Sequence, residues 1–294
     1  MPGAALLYHL ARDWLSREES PRIPESALMD ESAAAHAFLD AGAHGQLAPT
    51  YLYHAIQASA LIAPGARVVD LGCGPAVQLA LMARLAPAAH FIGIECAPAM
   101  LALAHDYLRR EGTTNVILMK DDMTRLDGIA SASVDTVVST MALHHLPNPD
   151  ELAATFATIH RILKPGGSIY VVDFGRLKRK ASMYFFAHEH AREQSPHFTA
   201  DYHHSLAAAF SLDDWRAASQ TLRARDGIRL VHTFLVPFLV ALRGPVTRAA
   251  APATLTAARG HYATLSSRQR RAFHDLARFF ARGGLELPFK PQIP

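Results

Sequence analysis

The chain has 294 residues, of which 50% are apolar and 19% are Asp, Glu, Lys or Arg. This balance can fill a large core and leaves little room for extended disorder, and the length predicts one elaborated domain or a domain with an appendage. The net charge of +3 does not require a polyanionic partner. Two cysteines, Cys73 and Cys96, exclude a cysteine-based zinc or iron–sulfur centre, so we expect a reducing compartment, the cytoplasm.

The N-terminal residues 1–19 have the pattern of an amphipathic helix, because His9, Arg12 and Asp13 interrupt their apolar residues. No export signal is visible. The most apolar later stretch, residues 230–242, is shorter than the ~20 residues that span a bilayer and contains Pro237. We therefore expect a soluble protein without a membrane partner.

Strand-length apolar runs alternate with helical stretches in the middle of the chain, which predicts a parallel sheet covered by helices on both faces. Residues 1–64 precede this region as Ala-rich helical segments separated by Pro and Gly. The predicted strands are residues 67–71, 90–95, 116–120, 134–139 and 169–173. The predicted helices begin near residues 76, 98 and 150, and a turn at residues 165–167 precedes the fifth strand.

A glycine turn, residues 68–76 with the sequence VVDLGCGPA, carries the sharpest chemical signal. An apolar strand enters the turn and a helix leaves it. Glycine is needed where the backbone is pressed against a ligand, because there is no room for a Cβ, and the helix start presents free N–H groups. The turn therefore predicts a site for an anionic or polar ligand, although a plain strand-to-helix turn can have the same pattern.

Three further features lie at the ends of the following strands. Glu95 ends the second strand, where a carboxylate can accept both hydroxyls of a ribose, and Asp122 follows the third strand, where it could meet an adenine amino group. The fourth strand runs into residues 140–146, whose position faces the same crevice. One adenosyl-containing ligand would satisfy all of these features.

With these motifs in order, the sequence resembles the class I S-adenosylmethionine-dependent methyltransferases over roughly residues 45–175. The resemblance implies an α/β, Rossmann-like, doubly wound and mostly parallel seven-stranded sheet, with added helices at the N-terminus, after strand 5 and at the C-terminus. It places the last two strands at residues 228–233 and 238–242. The domain division that follows is a helical N-terminal cover, residues 1–64, a cofactor-binding core, residues 65–175, and an acceptor-site region, residues 176–294.

The resemblance also implies that S-adenosylmethionine is the cofactor. Gly72 and Gly74 would lie along its methionine part, and Glu95 would bind the ribose. Asp122 and the Met123 backbone would bind adenine. Asp70 would order the glycine turn and bind the amino group, and Thr140 would complete the cofactor site at the end of the fourth strand.

Other ligands and functions fit these motifs less well. A nicotinamide dehydrogenase needs a third glycine where Val77 stands, and no phosphate-binding loop is present. Amino methyltransferases that act on adenine or glutamine typically show Asp or Asn, two prolines and an aromatic residue after the fourth strand, whereas residues 139–142 are STMA. The arginine-rich residues 243–282 keep RNA or DNA as a less favoured partner and a homodimer as another alternative. A non-catalytic binding protein is the third alternative, but a degraded cofactor pocket would then be expected.

The reaction would be in-line displacement at the sulfonium methyl by an oxygen or nitrogen nucleophile of a small-molecule acceptor. A histidine could remove the acceptor's proton, so the candidate catalytic residues are His144 and His145 after the fourth strand and His188 and His203 after the fifth. The histidine-rich residues 188–204 could instead bind a metal or form a polar surface, and we assign no metal ligand. The aromatic residues Tyr51, Tyr53, Tyr184, Phe185 and Phe186 could wall the acceptor site or belong to the core.

Overall fold

The computed structural model describes residues 4–25, 32–43, 45–245 and 251–288. Within these ranges the chain forms seven strands: β1 Arg67–Leu71, β2 His90–Glu95, β3 Val116–Lys120, β4 Val134–Thr140, β5 Leu163–Phe174, β6 Arg229–His232 and β7 Leu239–Gly244. They make one sheet in the order β3-β2-β1-β4-β5-β7-β6. The first five strands pair in parallel, and β7 runs antiparallel between β5 and β6. The predicted doubly wound, mostly parallel seven-stranded sheet is therefore confirmed.

Twelve α-helices surround the sheet in the described ranges, and none of them is long and apolar enough to cross a bilayer. Three precede the sheet: α1 Ala4–Trp14, α2 Ser32–Ala43 and α3 Ala48–Ser59. Three connect its parallel strands: α4 Val77–Leu85, α5 Pro98–Arg110 and α6 Pro149–Ile162. Four follow β5: α7 Lys180–His188, α8 Pro196–Ala208, α9 Leu212–Ala218 and α10 Gln220–Arg223. Two end the chain: α11 Pro252–Thr264 and α12 Ser267–Arg282.

The predicted strand bounds are close to the observed ones, with one clear difference in β5. The prediction began this strand at residue 169 after a turn at residues 165–167, whereas β5 begins at Leu163, which pairs with Val134. The register then shifts, so that Ser168 pairs with Thr136. The predicted turn is thus an irregularity inside the strand, with Gly166 at φ +72°. Strand β7 also continues two residues beyond its predicted end, because it pairs along β5 as far as Ile169 with Gly244.

Both faces of the sheet are buried because successive side chains of a strand point to opposite sides. Val68 belongs to a core that includes residues of α3, α4 and α12, whereas its neighbour Val69 belongs to a core on the other face with Phe156 of α6 and Trp215 of α9. A third apolar cluster joins α1, α7 and α8 beyond the end of β5. The helices added at both ends of the chain are therefore packed parts of the fold.

Helix α12 covers the sheet face that α3 lines, and its arginines point the other way. Phe280 is fully buried and stacks on Tyr53 of α3 at a ring-centroid distance of 5.5 Å. Arg268, Arg271, Arg278 and Arg282 are exposed. These four arginines therefore belong to the polar face of an amphipathic helix.

Replacing Phe280 with Ala should lower the free energy of unfolding by about 3–5 kcal/mol, because the substitution leaves a cavity between α12 and α3. Urea denaturation of the purified protein measures the change. The control is Arg271→Ala on the exposed side of the same helix, which should change the stability by less than about 0.5 kcal/mol. Equal effects of the two substitutions would contradict the packing described for α12.

Candidate functional site

The glycine turn between β1 and α4 is tied to the end of β2 by backbone hydrogen bonds. The N–H groups of Gly72 and Cys73 both donate to the carbonyl oxygen of Ile94, at 2.8 and 2.9 Å. Gly74 N–H donates to Oε2 of Glu95 at 2.9 Å. The turn is therefore held by the strand that also supplies the predicted ribose ligand.

Gly72 cannot be another residue without a rearrangement of the turn. Its φ is +68°, and a Cβ built on it would lie 2.4 Å from the Cβ of Ala142 in the segment after β4. Gly74 also has a positive φ of +52°, but a Cβ there would meet no atom within 4 Å. The close approach at Gly72 brings the segment after β4 against the turn, so that both lie at the same end of the sheet.

Glu95 is oriented by three hydrogen bonds. Its Oε1 accepts from the N–H groups of Cys96 and Ala97, each at 2.9 Å, while Oε2 accepts from Gly74. A carboxylate has about four acceptor positions, so Glu95 retains capacity for a ligand hydroxyl. This fixed carboxylate suits a ribose.

Asp70 is buried beneath the turn. In the described part of the chain, no hydrogen bond joins its carboxyl group to the glycine turn, whose contacts go to Ile94 and Glu95 because β2 lies directly beside β1. Burial, with a smaller contribution from the charge of Glu95, raises the pKa of Asp70 to about 8. A buried carboxyl group with this pKa is a suitable partner for a ligand cation.

The other residues predicted for the cofactor lie at the same strand ends. Asp122 follows β3, and its Oδ1 accepts hydrogen bonds from the backbone N–H and the hydroxyl of Thr124. Met123 is the next residue along this turn. Thr140 ends β4 and accepts a hydrogen bond from Gln78 of α4 at 2.8 Å.

His144 lies after β4 and is held by an aspartate that the sequence prediction missed. Its backbone N–H donates to Oδ2 of Asp173 at 2.9 Å, and its Nδ1 donates to Oδ1 of the same residue at 2.7 Å. Burial alone would lower the pKa of His144, but the Asp173 carboxylate raises it above the ordinary value. Because Nδ1 is engaged, the remaining ring nitrogen, Nε2, is the atom that can act on a ligand.

The N-terminal segment brings a second missed carboxyl group to the histidines. Oε2 of Glu25 lies 3.8 Å from Nε2 of His144 and 3.6 Å from Nδ1 of His145. Burial raises the pKa of Glu25 to about 7, and nearby Asp201 adds to this rise, whereas His144 opposes it. Asp173 could have been suspected because it nears the carboxyl end of β5, but no local pattern marks Glu25.

Arg22 fixes this segment in place. Its guanidinium donates hydrogen bonds to the carbonyl oxygens of four residues, and it lies 4.0 Å from the ring centroid of Phe210. The acceptor residues are His144, Leu146, Pro147 and Ala208. Three of them belong to the segment that carries the histidines, so Glu25 and the histidine pair are positioned together.

The other two candidate bases, His188 and His203, lie elsewhere. The ring of His188 stacks on the ring of Tyr184 with 3.9 Å between centroids, and its Nδ1 donates to the Tyr184 carbonyl oxygen. The ring of His203 packs against the ring of His188 with 5.8 Å between centroids. Neither lines the cavity described below. Their assignment as bases stays a prediction, and in this structure they form an outer stack with Tyr184 of α7.

One cavity of about 630 Å³ connects the two groups of residues. The glycine turn, Glu95, Asp122 and Thr140 line one end, and His144 and His145 line the other. An aromatic wall completes the histidine end and consists of Phe174, Phe186, Phe198, Tyr202 and Phe238. Residues of α2, α3 and α12 also line the cavity.

The aromatic residues predicted from the sequence divide between the cavity and the core. Tyr51 and Phe186 line the cavity. Tyr53 is fully buried in the core, and Tyr184 is exposed in the outer stack. Phe185 stacks on His9 of α1 at 4.1 Å. Helical periodicity turns consecutive residues toward different sides, which explains why neighbours in the sequence have different surroundings.

Comparison with known proteins identifies relatives of the central region. A family described as "Methyltransferase domain" matches residues 68–167. A ubiquinone biosynthesis O-methyltransferase of Acinetobacter baumannii (strain ACICU) is 27% identical over 167 residues, which cover 56% of this chain and 67% of that protein. The protein of the same name from Nitrosococcus oceani is 30% identical over 154 residues, which cover 51% of this chain and 61% of that protein.

Solved structures share the fold over more of the chain. A plantazolicin methyltransferase, BpumL, in complex with a triazolic desmethylPZN analog and SAH, is 12% identical with a TM-score of 0.54, and the match covers 90% of this chain and 93% of that one. A putative S-adenosyl-L-methionine-dependent methyltransferase from Methanococcus maripaludis is 16% identical with a TM-score of 0.53, covering 75% of this chain and 95% of that one. At these identities the likeness concerns the fold.

Replacing Gly72 with Ala should destabilise the protein by about 2–5 kcal/mol, because the new Cβ adds a clash with Ala142 to the cost of a positive φ. Gly65→Ala is the matched control, since Gly65 has a φ of +75° and a Cβ there would meet no atom within 4 Å. Gly65→Ala should lower the free energy of unfolding by about 1–2 kcal/mol. Urea denaturation compares the two, and a Gly72 effect no larger than the Gly65 effect would contradict the close approach.

Proposed function

We propose that this chain, a member of the class I S-adenosylmethionine-dependent methyltransferase superfamily, transfers a methyl group to an oxygen or nitrogen atom of a small, largely apolar acceptor. The continuous cavity from the glycine turn to the aromatic wall carries this proposal. Its volume of about 630 Å³ lies in the range of sites for small molecules, which is about 300–1,000 Å³. A cofactor and an acceptor would share it.

The residues at the glycine-turn end fit S-adenosylmethionine. This cofactor, when bound, supplies a methyl group on a positively charged sulfur. The remaining acceptor position of Glu95 would take a ribose hydroxyl, and Asp122 with the Met123 backbone would contact adenine. Asp70 would face the amino group, with Gly72, Gly74 and Thr140 along the methionine part.

The histidine end fits an apolar acceptor with one polar atom. Five aromatic side chains supply the wall, and the ring of His144 lies 5.4 Å from the ring of Phe174 in that wall, measured between centroids. Holding the acceptor atom against the methyl group can contribute ~7–11 kcal/mol of the barrier reduction, so positioning is the main task of these residues. The segments added to the core, residues 1–64 and 176–294, provide most of this end.

An oxygen acceptor has additional support. The relatives from Acinetobacter baumannii and Nitrosococcus oceani are named as O-methyltransferases of ubiquinone biosynthesis. A nucleic acid acceptor has less support. The exposed arginines of α12 lie on the face of that helix away from its buried aromatic residues, which is the ordinary solvated face of an amphipathic helix.

The wild-type protein should transfer labelled methyl groups from S-adenosylmethionine to the low-molecular-mass fraction of a bacterial lysate, and S-adenosylhomocysteine should bind it in calorimetry. Glu95→Ala removes a charged hydrogen-bond partner worth about 1.5–3 kcal/mol, so the affinity for S-adenosylhomocysteine should fall about 10–150-fold. Glu19→Ala, at an exposed position in the N-terminal segment, is the control and should bind normally.

Two results would contradict the proposed function. If the label enters RNA or DNA but not small molecules, the acceptor is a nucleic acid and the proposed small-molecule acceptor is wrong. If the wild-type protein binds no S-adenosylhomocysteine, the cofactor assignment is wrong and a non-catalytic role is favoured.

The affinity for S-adenosylhomocysteine should rise with pH between about 6 and 8 and then level off. Asp70 has a pKa of about 8, so in the free protein it is protonated below that pH and must lose its proton to pair with the ligand's ammonium group. The rise approaches roughly tenfold per pH unit. Calorimetry at several pH values measures it, and Asp70→Asn should flatten the profile. A flat wild-type profile, or an unchanged slope in Asp70→Asn, would show that Asp70 does not contact this group.

A further inference from the structure

Three donor atoms from distant parts of the chain converge beside the acceptor end of the cavity. Oε2 of Glu25, Nε2 of His144 and Nδ1 of His145 all lie within 4.8 Å of one another. We propose that these three side chains bind a divalent transition-metal ion, such as Zn²⁺, whose remaining coordination positions face the cavity and bind an oxygen atom of the acceptor. The acceptor part of this proposal rests on the proposed methyl transfer.

The spacing of the three atoms suits a shared ion better than hydrogen bonds. The Glu25 oxygen is 3.8 Å from His144 and 3.6 Å from His145, which is too far for a hydrogen bond. Two ligands bound to one tetrahedral zinc at ~2.1 Å are about 3.4 Å apart. The distances from the Glu25 oxygen to the two histidine nitrogens therefore exceed this value by only a few tenths of an ångström.

The ligand types form a recognised set for such an ion. Imidazole nitrogens suit zinc, iron, copper and nickel, and two histidines with one glutamate leave positions open for a ligand or water. His144 and His145 both line the cavity, so an ion bound to them would have those positions on the cavity side.

Asp173 supplies the outer hydrogen bond that metal-binding histidines usually make. It accepts from Nδ1 of His144 and is almost completely buried, so that Nε2 of His144 is directed at Glu25. Such a carboxylate fixes the tautomer and the orientation of the ring and makes it a better ligand. The other carboxylate oxygen of Asp173 accepts a hydrogen bond from the backbone N–H of His144 and so fixes the backbone there.

Hydrogen bonds within the protein hold the three side chains near one another. Arg22, three residues before Glu25, donates hydrogen bonds to the carbonyl oxygens of His144, Leu146 and Pro147. The glutamate and the two histidines are therefore held in one framework although about 120 residues separate them in the sequence. A preorganised site loses less conformational entropy when it binds a ligand.

The local charge also favours a cation. Asp173, Glu25 and Asp201 are the three acidic groups whose charges act on the buried imidazole of His144. Arg22 is the nearby cation described above, and its guanidinium is engaged with carbonyl groups. A divalent ion would offset this concentration of buried acidic groups, which are costly without a counter-charge.

Titration of the chelator-treated full-length protein with Co²⁺ and Zn²⁺ tests the site. Wild-type protein should bind one equivalent, and bound Co²⁺ should give the visible absorption of a low-symmetry site with nitrogen and oxygen ligands. Glu25→Gln and His145→Ala should each weaken binding at least about 100-fold, and Asp173→Asn should weaken it about 10–100-fold. His188→Ala is the control for surface histidines and should bind the ion as the wild type does.

Circular dichroism and the affinity for S-adenosylhomocysteine should be unchanged in Glu25→Gln and His145→Ala, which separates loss of the ion from misfolding and from loss of the cofactor site. Three results would overturn the metal site: no stoichiometric binding, binding lost in His188→Ala but kept in His145→Ala, or full methyl transfer by metal-free protein. Each leaves the proposed function intact if S-adenosylhomocysteine still binds. Failure of cofactor binding would instead remove the proposed function while metal binding could still be measured.

Discussion

The hydrogen bonds between the glycine turn and the end of β2 are the contacts on which the rest of the site depends. Ile94 and Glu95 hold the N–H groups of residues 72–74, and the missing side chain at Gly72 lets the segment after β4 approach the turn. Three strand ends are thereby brought to one edge of the sheet. Because Glu95 orders the turn and also faces the cavity, one carboxylate connects the fold to the binding of a ligand.

The acceptor end depends on contacts of another kind. Here Arg22, which follows α1, binds the carbonyl oxygens of the segment that follows β4. This arrangement brings Glu25 to the histidine pair, which Asp173 orients from the end of β5. The core therefore supplies the end of the cavity proposed for the methyl donor, whereas segments outside the parallel strands supply most of the end proposed for the acceptor.

These two kinds of contact explain how much the sequence could predict. The glycine turn, Glu95 and Asp122 follow from local patterns, since a parallel sheet collects its strand ends at one edge. Glu25 could not be predicted, because its position depends on hydrogen bonds to residues about 120 positions away. The sequence could not show where the rings of His188 and His203 lie, because they pack with Tyr184 and with each other through contacts between α7 and α8. The irregularity inside β5 was missed for a related reason, as the pairing of Leu163 with Val134 is a tertiary contact.

A crystal structure of the protein with S-adenosylhomocysteine would test the central claim most directly. The account predicts that a ribose hydroxyl lies within hydrogen-bond distance of Glu95, that adenine lies beside Asp122, and that the sulfur points toward the end of the cavity lined by His144 and His145. A ligand bound elsewhere, or one whose ribose lies away from Glu95, would contradict it.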